Sequence, residues 1–154
     1  MGTSGCLFCR IAAHSEPAHL VLETDRVVGF LDNRPVFKGH VLLVTRRHVE
    51  TLTDLPDELL APFFAATRAV AAAVRDSLGA QGSLVAMNNV VSQSVPHLHA
   101  HVVPRTKGDG LRGFFWPRTR YLDADEAGAY AAQLRNTLTQ QPSDERAEAA
   151  DGPR

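Results

Sequence analysis

The period of apolar and polar positions changes several times along the chain, and each change marks an element. Leu20 to Glu23 and Arg26 to Asp32 are short apolar-rich runs with Thr24-Asp25 between them, the spacing of a hairpin. Pro35 and Gly39 mark the next turn. His40 to Arg46, with Val41-Leu42-Leu43-Val44 at its centre, predicts a strand buried on both faces. From Pro56 to about Leu78 the period turns helical. Leu59, Phe63, Ala66, Val70 and Val74 fall at three- and four-residue steps and form one stripe. Asp54 is placed as the N-cap, Pro56 suits the first turn and Gly79 ends the helix. Pro62 interrupts the stripe and predicts a kink or a delayed start. Ser83 to Asn88 reads as a further strand, and a loop from Asn89 to Val95 leads into an alternating run, His97 to Val102. Several strands, one long helix and two more strands predict an α+β fold on an antiparallel sheet.

The two ends carry less pattern. Cys6 to Ile11 is a short apolar segment that would cover a ligand or cap the core, and Pro17 then breaks the chain. After Arg105, Gly108-Asp109-Gly110 and Gly113 mark a loop, followed by the apolar cluster Phe114-Phe115-Trp116, suited to a core or a subunit interface. Asp123 would cap a short helix running to about Leu138, with Ala127, Tyr130, Ala131 and Leu134 on one side. Thr139 to Arg154 holds no large apolar residue and is expected to be a mobile tail.

The 154 residues suffice for one domain with a sizeable core. A formal net charge of −1 argues against a general nucleic-acid coat protein, and no nucleic-acid partner is expected. Charge is uneven, however. Arg105, Lys107, Arg112, Arg118 and Arg120 stand against a single acid, Asp109, which suits a phosphate-bearing ligand nearby. No apolar run approaches the roughly 20 residues that span a bilayer, and the first residues lack a signal-peptide pattern. Met1-Gly2 has Cys6 where a myristoylation motif wants Ser or Thr. A cytoplasmic protein with no membrane partner is expected. In that reducing compartment a disulfide between Cys6 and Cys9 is not the expected use.

The candidate chemistry sits in the run Val95-Pro96-His97-Leu98-His99-Ala100-His101-Val102-Val103-Pro104. In an extended strand, residues two apart line one face, so the three imidazoles stand in a row while Leu98, Ala100 and Val102 face the other way. A neutral imidazole whose other nitrogen is held can attack phosphorus, and a neighbouring histidine can protonate the departing group. His99, flanked on both sides, is the natural nucleophile; Gln93 and Ser94 lie just upstream, within reach of substrate oxygens. A second constellation is Cys6-x-x-Cys9 with His48 and one histidine of the row, an ordinary tetrahedral zinc set with no open position, hence structural. A third possibility places a catalytic zinc on the row itself with His40 or His48 as extra ligands, which leaves Cys6 and Cys9 idle.

Pro96-His97-Leu98-His99-Ala100-His101-Val102-Val103 resembles the histidine triad (HIT) signature. The resemblance extends to Cys6-Leu7-Phe8-Cys9-Arg10-Ile11, Phe30-Leu31-Asp32, Pro35 with Gly39-His40, the strand ending at His48, and Asn88-Asn89 before Gln93-Ser94-Val95. It covers about residues 6–105. It implies a HIT-like α+β fold, with a five-stranded antiparallel sheet, one long helix and a short C-terminal helix, that dimerises and binds purine nucleotides. The HIT domain would span 1–122, the C-terminal helix 123–138 and the tail 139–154. By the same resemblance His99 is the nucleophile forming a nucleotidyl-histidine, His101 contacts phosphate and leaving group, and His97 is a supporting partner or the fourth zinc ligand beside Cys6, Cys9 and His48. Ser94 and His40 support the catalytic network. Asp32 holds the ribose hydroxyls, Phe8, Ile11, Phe30 and Leu42 sandwich the base, and Asn88, Gln93 and Ser94 line the phosphates.

The chain departs from the family pattern in three places. The loop Asn89-Val90-Val91-Ser92 is shorter, with Ser92 for a glycine; Pro96 replaces an aromatic or branched residue; and Asp109 to Tyr121 has no counterpart. His101 stands where the transferase branch carries Gln, which favours release to water. The resemblance therefore implies a nucleotide hydrolase, with a phosphoramidase ahead of a dinucleoside polyphosphate hydrolase. The basic segment after the triad favours the latter. A nucleotide-binding scaffold with incidental catalysis is the remaining alternative, and the intact triad speaks against it.

Overall fold

The computed structural model describes residues 5–111 and 119–140. Five strands, β1 (Leu20–Glu23), β2 (Val27–Leu31), β3 (Val41–Thr45), β4 (Gly82–Ala86) and β5 (His99–Arg105), form one antiparallel sheet in the order β1-β2-β3-β5-β4. Helices α1 (Leu7–Ala12) and α2 (Asp57–Leu78) accompany them, and α3 (Ala124–Gln140) follows later in the chain. The α+β arrangement on a five-stranded antiparallel sheet is the one expected.

Both faces of the sheet are used. On one, Leu59, Phe63, Val70 and Val74 of α2 pack on Val27, Leu43, Leu98, Ala100 and Val102. On the other, Phe8, Ile11 and Ala12 of α1 pack on Val28, Phe30, Leu42 and Val44. All five residues of β3 are buried, as its lack of a polar face requires. The N-terminal segment, read only as apolar, is thus a helix that roofs the second face.

Several boundaries differ from expectation. Asp54 does not cap α2. It closes a 3-10 turn at Leu52–Asp54, where its carboxylate accepts both the backbone N–H and the hydroxyl of Thr51. Pro56 is the N-cap of α2 instead, and Pro62 lies within the helix without delaying its start at Asp57. Gly79, at φ +67°, ends it as expected. Regular pairing of the histidine strand begins at His99, not before, since the N–H groups of His97 and Leu98 are taken by the Val95 and Val49 carbonyls.

The chain divides into two compact units between Leu111 and Arg112. In the second, the Asp123 carboxylate accepts the Glu126 N–H at 2.8 Å, while Glu126 accepts the Leu122 N–H, so Asp123 does open α3. That helix continues two residues beyond the expected Leu138. Phe114-Phe115-Trp116, Arg112, Arg118 and residues 141–154 of the expected tail lie outside the described residues. Among the described residues, no helix is long and apolar enough to cross a membrane.

Candidate active site and metal centre

The alternation of the histidine run is preserved. Leu98, Ala100 and Val102 sit in the α2 core, while the Phe8 ring stands edge-on to both His97 and His99, at 6.0 and 5.2 Å between centroids. His99 and His101 lie 4.9 Å apart. Register fixes their neighbours: His99 is opposite Val44 and His101 opposite Leu42 on β3.

Hydrogen bonds assign each ring a role. His97 Nε2–H donates to the Thr45 carbonyl at 2.8 Å, which leaves Nδ1 as a lone pair. That Nδ1 faces Cys6 Sγ at 3.4 Å and Cys9 Sγ at 3.5 Å, and Cys9 Sγ meets His48 Nδ1 at 3.3 Å. His99 Nδ1–H donates to the His97 carbonyl at 2.8 Å, so its Nε2 carries the free lone pair. The Val36 N–H donates to His40 Nδ1 at 3.3 Å; His40 Nε2–H therefore points at His101 Nδ1, 3.0 Å away. His101 in turn keeps its proton on Nε2. Asp32 Oδ2 lies 3.6 Å from His40 Nδ1.

Burial sets the charge state. It pushes His101 down to about 4, with His99 and His40 adding to the effect and Asp32 opposing it. Burial likewise pushes His97 down to about 4, against the Thr45 carbonyl, with His48 and His99 adding. His40 is also lowered by burial, with Asp32 opposing. These three rings are neutral near pH 7, as ligands, acceptors and neutral donors must be.

Four ligand atoms, from Cys6, Cys9, His48 and His97, lie within 4.8 Å of one another. With Zn–S of about 2.3 Å and Zn–N of about 2.0–2.1 Å, a tetrahedron puts N and S about 3.5 Å apart. The observed 3.3 to 3.5 Å fits this spacing. Burial and the adjacent Cys6 push the Cys9 thiol up to about 11, so without a cation this sulfur is a thiol. The donor set is one that a zinc ion would complete.

Phe8, Ile11, Phe30, Asp32 and Leu42, all expected at the nucleotide, line one cavity of about 620 Å³. Its wall does not include His99 or His101 but reaches them through Phe8, which touches His99, and Leu42, which pairs with His101. The loop residues are placed differently. Asn88 donates to the Ser92 carbonyl, while Gln93 accepts the Val90 N–H and donates to the Glu50 carbonyl, both at 2.7 Å. In this arrangement Gln93 braces the loop against the segment after His48. Ser94 is exposed on the same loop. Arg105 is closed on Asp109 and on the Leu111 carbonyl, which holds the Asp109 carboxyl well below the usual carboxylate range.

Sequence reasoning missed Thr45, whose carbonyl orients His97, and Glu50, 3.9 Å from His48 Nε2. It also missed Glu16, His19 and Asn33 in the cavity wall. Thr45 and Glu50 carry no sequence signal, since their roles arise from register.

The HIT domain profile matches residues 13–108. The chain belongs to the HIT family. A protein named "Protein hit" from Bacillus subtilis is 40% identical over 114 residues, covering 72% of this chain and 78% of the relative. The Saccharomyces cerevisiae protein named adenosine 5′-monophosphoramidase is 30% identical over 133 residues, covering 85% and 81%. The crystal structure of a Zn-bound histidine triad family protein from Mycobacterium smegmatis superposes with a TM-score of 0.68 at 36% identity, covering 88% and 99%.

Proposed function

We propose that this HIT protein is a nucleotide hydrolase that cleaves purine nucleoside phosphoramidates at the α-phosphorus through a nucleotidyl-His99 intermediate. The observation that carries the reading is the His99 Nδ1–H bond to the His97 carbonyl, which leaves Nε2 as an unprotonated nucleophile beside His101. In the first step His99 Nε2 bonds to phosphorus and the bond to the leaving amine breaks; His101, which takes up a second proton beside the anionic phosphate, gives its Nε2 proton to the amine and is left neutral. In the second, water attacks phosphorus, the P–Nε2 bond breaks, and His101 takes the proton of the water. Asp32 in the cavity holds the ribose hydroxyls, and the apolar wall sandwiches the base. Ser94, Asn88 and Gln93 are read as lining the phosphates, in the case of Gln93 by holding the loop in place.

The name of the yeast relative supports the phosphoramidase reading over the polyphosphate one. So does Arg105, whose guanidinium is taken up by Asp109 and is not presented to a longer phosphate chain. Zinc at Cys6, Cys9, His48 and His97 is read as structural, a staple between α1 and the sheet. It would supply rigidity to His97, whose carbonyl orients His99. A homodimer is read from strand β4, which stands at the sheet edge with Val85 exposed, and from Leu60 and Phe64, exposed on α2.

Side-by-side turnover of adenosine 5′-phosphoramidate and a diadenosine polyphosphate tests the reading. Release of ammonia and nucleoside monophosphate at the higher kcat/KM is expected. Faster cleavage of the polyphosphate assigns the other substrate class, and turnover of neither supports the scaffold.

A further inference from the structure

We propose that Glu16 makes the site select guanine over adenine, its carboxylate accepting the N1–H and the exocyclic N2–H of the base. This rests on reading the cavity as a nucleoside site.

Stacking between Phe8, Ile11, Phe30 and Leu42 holds any purine, because every base has the same kind of face. Telling one purine from another needs a polar group on the base edge. Four polar side chains line the cavity: Glu16, His19, Asp32 and Asn33. Asp32 stands at the catalytic end, 3.6 Å from His40. Glu16 follows the last turn of α1. With Asp32 taken by the ribose in the proposed reading, Glu16, His19 and Asn33 are the polar side chains left for the base edge.

The Glu16 carboxylate is held in place. The Ser15 and Glu16 N–H groups both donate to the Arg10 carbonyl, and Pro17 follows directly. Arg10 Nε donates to Oε2 at 3.2 Å. Oε1 has no partner among the described residues. A fixed carboxylate is acceptor-only, and guanine offers two adjacent donors, N1–H and N2–H, that match its two oxygens. Adenine offers N6–H beside a bare N1, so one oxygen would face a lone pair. His19 and Asn33 can each both donate and accept and do not discriminate by themselves.

Glu16 is 37% exposed at its side chain, so water competes and the selectivity is modest. A bidentate contact to a base edge discriminates by about 10- to 100-fold, and the lower end is expected here. The test measures kcat/KM for guanosine and adenosine 5′-phosphoramidates and Kd for GMP and AMP, on the full chain. The wild type should favour guanosine about tenfold. Glu16→Gln presents one acceptor and one donor, the complement of adenine, and should reverse the preference; Glu16→Ala should abolish it. Equal efficiency on both substrates in the wild type, or an unchanged ratio in both variants, overturns the base assignment while leaving the nucleotide-site reading intact. Binding of neither monophosphate overturns both.

Discussion

His40 and His101, 61 residues apart, meet Nε2 to Nδ1 at 3.0 Å, and the bond sets which nitrogen of His101 faces outward with a proton. His40 is itself fixed by the Val36 N–H, so the order of donors runs in one direction, from the loop before β3 to the triad. Replacing His40 by Ala leaves His101 Nδ1 without its donor, a loss of about 1–3 kcal/mol where the site is buried. The expected outcome is a kcat lowered about 10- to 100-fold, with an altered pH profile. His40→Gln, which can still donate, should recover part of it. Equal kcat and an unchanged profile in His40→Ala would remove the orienting role.

The metal prediction concerns content and stability together. Elemental analysis of the wild type should find about one zinc per chain, and Cys9→Ser should lose it. Chelation should lower Tm in the wild type and leave Cys9→Ser unaffected. A wild type free of metal when purified without chelators contradicts the assignment.

Acid stability follows from His101. Its value in the folded chain is about 4, below the ordinary 6.5. Between these values the unfolded chain binds a proton that the folded chain does not, so stability rises with pH through this window and is lost as pH falls from about 6.5 towards 4. The contribution is about 1.4 kcal/mol per pH unit at most. His101→Gln should therefore lose less stability than the wild type between pH 6.5 and 4.5 in urea titrations. Parallel losses would show that His101 does not carry the effect.

Gly39 precedes His40 with φ +93°, a conformation that favours glycine, and a Cβ there would collide with the Leu78 side chain. Gly39→Ala should cost about 1–3 kcal/mol in unfolding experiments. A change under a few tenths would mean the turn relaxes freely.

How far the sequence carried these conclusions depended on how local each cause is. The α2 stripe of Leu59, Phe63, Val70 and Val74 is a local pattern, and it was legible to its Gly79 stop. So was the alternation of His97, His99 and His101 with Leu98 and Ala100. Helix α1 was not, because six residues with one cysteine and no side-chain cap give too little period to read. Asp54 was misplaced because Thr51, three residues upstream, competes for its carboxylate. The motif resemblance brought Cys6, Cys9, His48 and His97 to one list, but only the fold sets Nδ1 of His97 and His48 against the sulfurs. Gln93 was legible as a site residue and not as a brace, since its partner, the Glu50 carbonyl, is 43 residues away.

The central claim is that His99 Nε2 is the nucleophile, and covalent trapping tests it most directly. Incubation with α-³²P-labelled nucleoside phosphoramidate followed by rapid denaturation should leave acid-labile, base-stable label on the wild type. His99→Ala should carry none while retaining nucleotide binding. Label that persists on His99→Ala would contradict the account.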